Sequence, residues 1–287
     1  MCSRPSLWPL CLSAFFQAGW LSIENGKKMK NNKILTLAFL RSFYLQATWN
    51  FERMQNVGFL YILLPFFQFI YPDKEKRKAV LLRHLGFFNT HPYAASVILG
   101  IVASMEAERA EQDTIGEGEI MVLKTNMAGP LAAIGDAFFW ATWRPFVVAL
   151  SLFIVVFFVE DPGFRGTWFA PLFFLVVFNA LHLPFRYWGL KVSYTARTRV
   201  VKIIAGMEFQ KIIDFIRYMG MVIVTLSFVF YLLFSLHSTA EYAVVIIVFL
   251  ATIAGGAVLK SPTALFYILT AIGVVLAYMK IDFIKFM

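Results

Sequence analysis

Residues 49–71 read WNFERMQNVGFLYILLPFFQFIY. Asn50, Glu52, Arg53, Gln55 and Asn56 crowd the entrance to an apolar run that Pro65 interrupts. That run, Val57 to Tyr71, is shorter than the ~20 residues a bilayer-spanning helix needs. It reads as a re-entrant or interfacial piece. The polar entrance then needs an explanation, because an unpaired ion in hydrocarbon costs at least roughly 2.5–3.5 kcal/mol. If the stretch from Ile34 to Asn56 is helical, Glu52 and Asn56 share one stripe, and Trp49, Arg53 and Asn56 a neighbouring one. Glu52 and Arg53 would point apart and need separate partners.

Composition places this stretch in a membrane protein. Of 287 residues, 60% are hydrophobic, 17% aromatic and 15% charged, with mean hydropathy +0.70. A soluble domain keeps about 25% of its residues charged. The net charge of +9 comes from Lys and Arg lying between apolar runs, as in loops held on the cytoplasmic side. There is no basic stripe with interleaved stacking aromatics, which excludes a nucleic-acid partner. Cys2 and Cys11 are the only cysteines, so neither a disulfide framework nor a zinc site is expected. No Walker A motif, GxSxG elbow, HExxH or catalytic carboxylate pair occurs. No cofactor, metal or catalytic residue is expected in this chain.

Along the chain, the two halves differ in kind. Short apolar pieces broken by Gly, Pro and charges occupy residues 34–145. A second short run covers 93–105, and Glu106, Glu108, Glu111, Asp113, Glu117 and Glu119 follow as a solvated helix end and loop. Full-length spans are predicted at Trp168–Phe185, Met219–Leu236, Tyr242–Leu259 and Pro262–Met279. The basic segment 186–217 is cytoplasmic by its excess of Lys and Arg. Residues 1–33 form an extension with three readings: a signal peptide, a first span, or a mis-assigned start with translation beginning at Met29. The last is preferred. The expected fold is an all-α integral membrane protein, with broken or re-entrant helices in the N-terminal half and ordinary transmembrane helices in residues 146–287. Irregular backbone at membrane depth survives only where protein or a water-filled cavity satisfies it, and transporters build substrate sites from such segments.

Three motifs carry candidate chemistry. WNFERMQNVGF (49–59) is either a helix cap against a partner helix or the polar wall of a sugar or ion site. RHLGFFNTHPY (83–93) ends a helix at Asn89 and Thr90, with Pro92 barring a regular continuation. Asn89 offers a donor and an acceptor to a hydroxyl. His84 and His91 lack a third metal ligand at sensible spacing, so local structure is the expected role of both. In KTNMAGPLAAIGDAFFWATWRP (124–145), Gly129-Pro130 and Gly135-Asp136 bracket a small-residue turn. Asp136 is either an N-cap there or the lining carboxylate of a re-entrant hairpin tip.

Taken together, RSFYLQATWNFERMQNVGF, RHLGFFNTHPYAASVILG and KTNMAGPLAAIGDAFFWATWRP resemble, in order and spacing, the signature regions of the IID component of the mannose/fructose/sorbose family of the bacterial sugar phosphotransferase system. The specific match covers Arg41 to Pro145; the rest agrees by hydropathy. The resemblance implies a multi-pass subunit of the bacterial cytoplasmic (inner) membrane that binds a hexose or amino-hexose together with a IIC partner, in an oligomer of IIC–IID pairs. It implies soluble IIA and IIB as carriers of the phosphoryl group. It points to Asn50, Glu52, Arg53, Gln55, Asn89, Thr90, His91 and Asp136 as substrate-site residues, and to Pro92, Gly129, Pro130 and Gly135 as breakers of the re-entrant segments. The chain departs from the family's pattern where Gly86 replaces a Glu, where Ala107 replaces the second of two paired glutamates, and at Asn126, Ala128 and Ala133. Gly86 and Ala107 motivate an alternative: a structural or regulatory subunit that keeps the fold without transport.

Overall fold

The computed structural model describes residues 32–158 and 166–234, with positions 246, 247, 250 and 254 in addition. Apart from those four positions, the expected span Tyr242–Leu259 lies outside the described residues, as do Pro262–Met279 and the N-terminal extension to residue 31. Among the described residues the regular structure is all helical: α1 Asn32–Ser42, α2 Asn56–Ile70, α3 Lys74–His84, α4 Ala95–Gln112 and α5 Glu117–Gly135. A π-helical segment, Asp136–Trp143, leads into α6 Arg144–Phe158, followed by α7 Gly166–Ala196, α8 Arg199–Ala205 and α9 Phe209–Phe234. Glu117–Val156, Trp168–Ala196 and Phe209–Phe230 are long and apolar enough to cross a membrane. The expected all-α membrane architecture is the observed one.

The chain divides into two compact units. One contains residues 32–151 and 171–221, and the other residues 152–158, 166–170 and 222–234. In the smaller unit Phe153 meets Phe230 edge to face at 5.9 Å. The larger unit holds the three motifs. Its core is α2 packed on α1, α3 and α4, with α4 packed on α5. In α2, Phe59, Ile62, Leu63 and Phe66 are fully buried at the i, i+3, i+4, i+7 spacing of one helix face. α4 is buried all round from Ala95 to Glu106, as an apolar helix at the centre of a bundle must be. It meets α7 at backbone distance: a Cβ on Gly100 would lie 2.4 Å from the Leu190 carbonyl oxygen and 2.8 Å from the Tyr194 nitrogen.

Three expectations about helices are corrected. The helix expected to end at Asn89 and Thr90 ends at His84, capped by Leu85. The helix expected to run from Ile34 to Asn56 stops at Ser42. The Ser42 hydroxyl turns back to the Phe39 carbonyl (2.6 Å), and Arg186 Nη1 donates to the Ser42 carbonyl (2.7 Å). A terminal carbonyl is thereby satisfied from α7, and irregular turns carry the chain to Gln55. The apolar run lies in α2, an unbroken helix from Asn56 to Ile70 despite Pro65, and eight of its residues are buried in the bundle. Pro65 has no N–H to return to the Tyr61 carbonyl; Arg41 Nη1 donates to that carbonyl instead, at 3.0 Å.

Candidate functional site

The first two motifs form a hydrogen-bonded knot. Residues 50–54 turn tightly, with backbone bonds exchanged between Asn50 and Met54 (3.1 and 2.9 Å) and Met54 at φ 56°. Asn50 Oδ1 accepts from the Arg53 amide (2.7 Å), and Asn50 Nδ2 donates to Asn56 Oδ1 (3.2 Å). The Gln55 amide donates to the Phe88 carbonyl (2.8 Å). The buried Gln55 side chain donates to the Thr90 carbonyl (2.9 Å) and accepts from the Thr90 amide (3.2 Å). Asn56 Nδ2 reaches the Leu85 carbonyl (2.7 Å), and Thr90 Oγ1 donates to the Ala128 carbonyl on α5 (2.9 Å). Gln55, Asn56 and Thr90 therefore tie the three motifs to one another, and Asn50 braces the turn within the first. Glu52 and Arg53, expected to point apart, bond each other at 3.1 Å and are both exposed. The reason is local: a tight turn, unlike a helix, folds neighbouring side chains together.

The third motif contains no turn. α5 runs through Gly129 and Pro130 to Gly135, and Asp136 continues it with φ −65° and ψ −46°. Asp136 is thus neither an N-cap nor a hairpin tip, and Gly129, Pro130 and Gly135 break nothing there. Pro92 does lie in the turn that leads into α4. Pro130 and Pro145, each lacking an N–H, flank the π segment, in which Thr142 Oγ1 bonds the Ala137 carbonyl at 2.8 Å. π segments of this kind occur frequently at functional sites. Gly135 serves close packing, since a Cβ there would lie 2.3 Å from His91 Cγ.

Two environments flank this helix. On its open side Asn126, Gly129, Ala133, Asp136, Trp140 and Arg144 are exposed in a row, with Arg144 5.7 Å from the Trp140 ring. Asn89 is exposed one residue from Thr90, which is bonded to α5. On the inner side the His91 ring stacks on Phe139 (5.3 Å, 12°) and lies 5.2 Å from Trp140. His91 Nδ1 accepts from the Tyr93 amide (3.3 Å). Burial, then the nearby Arg186 charge, lowers the His91 pKa to about 4. The ring is neutral, which puts its proton on Nε2. Around Tyr93 lie His182 (4.3 Å, stacked) and the Arg186 guanidinium (5.0 Å). His91 Nε2, His182 Nδ1 and Arg186 Nε are buried with no hydrogen-bond partner among the described residues. Sequence reasoning found His91 and missed His182, Arg186 and Trp140. Basic side chains within the otherwise apolar Trp168–Ala196 helix were the available signal.

Behind the knot is a buried ion cluster. Glu106, expected in a solvated stretch, is fully buried. It accepts from Tyr71 Oη (2.8 Å), His84 Nε2 (2.8 Å), Arg83 Nη2 (2.5 Å) and Arg83 Nε (3.1 Å). Arg83 also reaches Glu117 (2.7 Å). Buried Lys124 donates to the His84 carbonyl (3.0 Å) and sits 4.4 Å from the centre of the Phe59 ring. Burial pushes the Glu106 carboxyl up, but hydrogen bonds and charge from His84 and Arg83 outweigh it and hold the pKa below its usual value. Burial lowers the His84 pKa more than Glu106 raises it. Both folded pKa values lie below the unfolded ones, so both groups stabilise the fold above the unfolded pKa and lose that contribution as pH falls. His84 begins to do so below about pH 6.5, and Glu106 below about 4.3. The melting temperature in detergent is expected to fall as pH drops from 7 to 5, and His84→Gln should make that fall shallower, His91 keeping its own share. A wild-type profile flat between pH 7 and 5 would contradict this.

A model of the PTS system mannose/fructose/sorbose family IID component matches residues 29–232. The chain belongs to that IID family. It is 39% identical over 177 residues to the mannose-specific EIID component of Escherichia coli K12, covering 61% of this chain and 60% of that one. It therefore spans about 60% of that curated relative's length. A chain in a cryo-EM structure of the mannose transporter ManYZ with microcin E492 is 35% identical, with TM-score 0.53, over 68% of this chain and 69% of that one. A chain of a second solved structure, described as a membrane protein, is 28% identical, with TM-score 0.68, over 88% of this chain and 98% of that one. The family departures of this IID chain can now be located. Gly86 faces open space, with nothing within 4 Å of where a Cβ would lie. Ala107 neighbours Glu106, and it is Glu106 that carries the ion cluster.

Proposed function

We propose that this IID chain is a subunit of a mannose-type sugar permease in the bacterial inner membrane. It crosses the membrane several times, pairs with a IIC chain in an oligomer, and with it binds a hexose or amino-hexose. The sugar moves inward as phosphorylated IIB, charged by IIA, transfers its phosphoryl group at the cytoplasmic face. One observation carries the reading: the exposed row on α5 and the π segment combines a carboxylate (Asp136), an aromatic face (Trp140) and small residues (Gly129, Ala133), with Asn89 beside it. Carboxylate and amide groups suit hydroxyls, which donate and accept, and an indole face covers the apolar face of a pyranose. Glu52 and Arg53, exposed at the neighbouring turn, face the same partner or sugar. Asn50, Gln55, Thr90 and His91 hold the platform from behind.

Asp136→Asn tests it. A hydrogen bond to a charged group contributes about 1.5–3 kcal/mol, so phosphotransferase-dependent uptake in cells carrying the complete operon should fall about tenfold to a hundredfold. Co-purification with IIC should be unchanged. Equal loss of assembly and uptake would make Asp136 structural. An assembled wild-type complex that gains no thermal protection from any hexose would instead identify the alternative, a structural or regulatory subunit, for which Gly86 and Ala107 speak.

A further inference from the structure

α5 also borders a second feature, which the transport reading does not use. A groove of about 670 Å³ opens between α5 and α8 beside Met105 of α4, within the ~300–1,000 Å³ range of small-molecule sites. Its walls are apolar: Met105, Val122, Leu123, Leu131, Val201 and Ile204. Val122 and Val201 are 59% and 37% exposed, so the groove is open along its side. One wall is the helix Glu117–Val156, which is long and apolar enough to cross a membrane. The lining of the groove is thus continuous with a surface made for acyl chains.

Its rim is cationic. Thr198 lines the groove, and Lys202 stands one helical turn beyond it on the same face of α8. Arg199 lies one turn before Lys202, and both are exposed. Neither side chain has a hydrogen bond or ion pair among the described residues, whereas neighbouring Arg197 is engaged by Glu108. The one acidic side chain in the lining, Glu119, turns back toward the Gly116 amide at 3.4 Å. An apolar trough ending at two exposed cations on a short helix complements a ligand with a hydrocarbon tail and an anionic head.

We propose that this groove binds an anionic membrane phospholipid, one acyl chain lying between α5 and α8 and the phosphate held by Lys202 and Arg199. The site depends on membrane embedding and not on sugar transport, so lipid binding can fail while uptake stands, and the reverse.

The test is native mass spectrometry of the full-length chain, expressed with its operon neighbours, purified in detergent and titrated with phosphatidylglycerol or phosphatidylcholine. Each surface Lys or Arg contributes about 1 kcal/mol toward anionic lipid. Phosphatidylglycerol should therefore bind at least about tenfold more tightly than phosphatidylcholine. Arg199→Gln with Lys202→Gln should erase that preference, and Val201→Trp, which fills the trough, should weaken both lipids. Equal binding of the two lipids by the wild type, or a preference intact in the double variant, overturns the proposal. Displacement of the lipid by millimolar inorganic phosphate overturns it too, since the site would then be one for free anions. If Val201→Trp leaves lipid binding unchanged but abolishes co-purification of a membrane subunit, the groove seats a protein helix and the proposal fails.

Discussion

Glu106→Ala is expected to destabilise the larger unit by about 3–5 kcal/mol, the usual cost of removing one partner from a buried ion pair. The alanine would leave Arg83, His84 and the Tyr71 hydroxyl without their shared acceptor inside the bundle. Arg83 retains Glu117, which is half exposed, so only part of its charge stays compensated. A native stability of about 5–15 kcal/mol would be cut by a large fraction, and a sharp fall in melting temperature should show it. Pairing Glu106→Leu with Arg83→Met should recover much of the loss, because exchanging a whole buried ion pair for apolar side chains is often neutral or stabilising. A Glu106→Ala protein that melts within about 1 kcal/mol of wild type would show that the cluster does not hold the unit together.

Gly100→Ala is the second large effect. In a helix interior this exchange normally stabilises by about 1 kcal/mol. Here the added methyl would sit 2.4 Å from the Leu190 oxygen and 2.8 Å from the Tyr194 nitrogen. Both are backbone atoms and cannot rotate away. α4 and α7 must separate, and overpacking of this sort costs about 1–3 kcal/mol or more. The clash outweighs the propensity, so the expected sign is destabilising. Gly118→Ala is the control: nothing lies within 4 Å of its Cβ position, and it should hold or raise the melting temperature. If both variants are stabilised, the close approach of α4 to α7 is wrong.

Legibility in the sequence followed the range of the interactions. Composition and hydropathy reported the membrane class directly, and the three motifs reported the family. Asn89 and Asp136 are exposed, and what such side chains can offer a hydroxyl follows from residue type alone. The end of α1 could not, because the group that caps Ser42 is Arg186, 144 positions away. Glu106 was read as solvated because five acidic residues follow it within thirteen positions. Its burial depends on Tyr71, Arg83 and His84 arriving from two other segments. The turn expected around Gly129-Pro130 failed for a different reason. Gly and Pro weaken a helix, but Thr90 bonds Ala128 and His91 packs on Gly135, so contacts from a neighbouring loop support the segment as helix. Pro65 repeats the lesson, with Arg41 supplying the donor the proline lacks.

The π segment has a geometric consequence for whatever meets the open side of the chain. In a regular α-helix of 3.6 residues per turn, every fourth residue drifts steadily around the axis. Asp136, Trp140, Arg144 and Val148 are spaced by four and are all exposed. The wider winding of Asp136–Trp143 slows that drift, so the row runs nearly parallel to the axis. It forms a straight edge about three turns long, which a rigid, flat surface can touch along its whole length without having to coil.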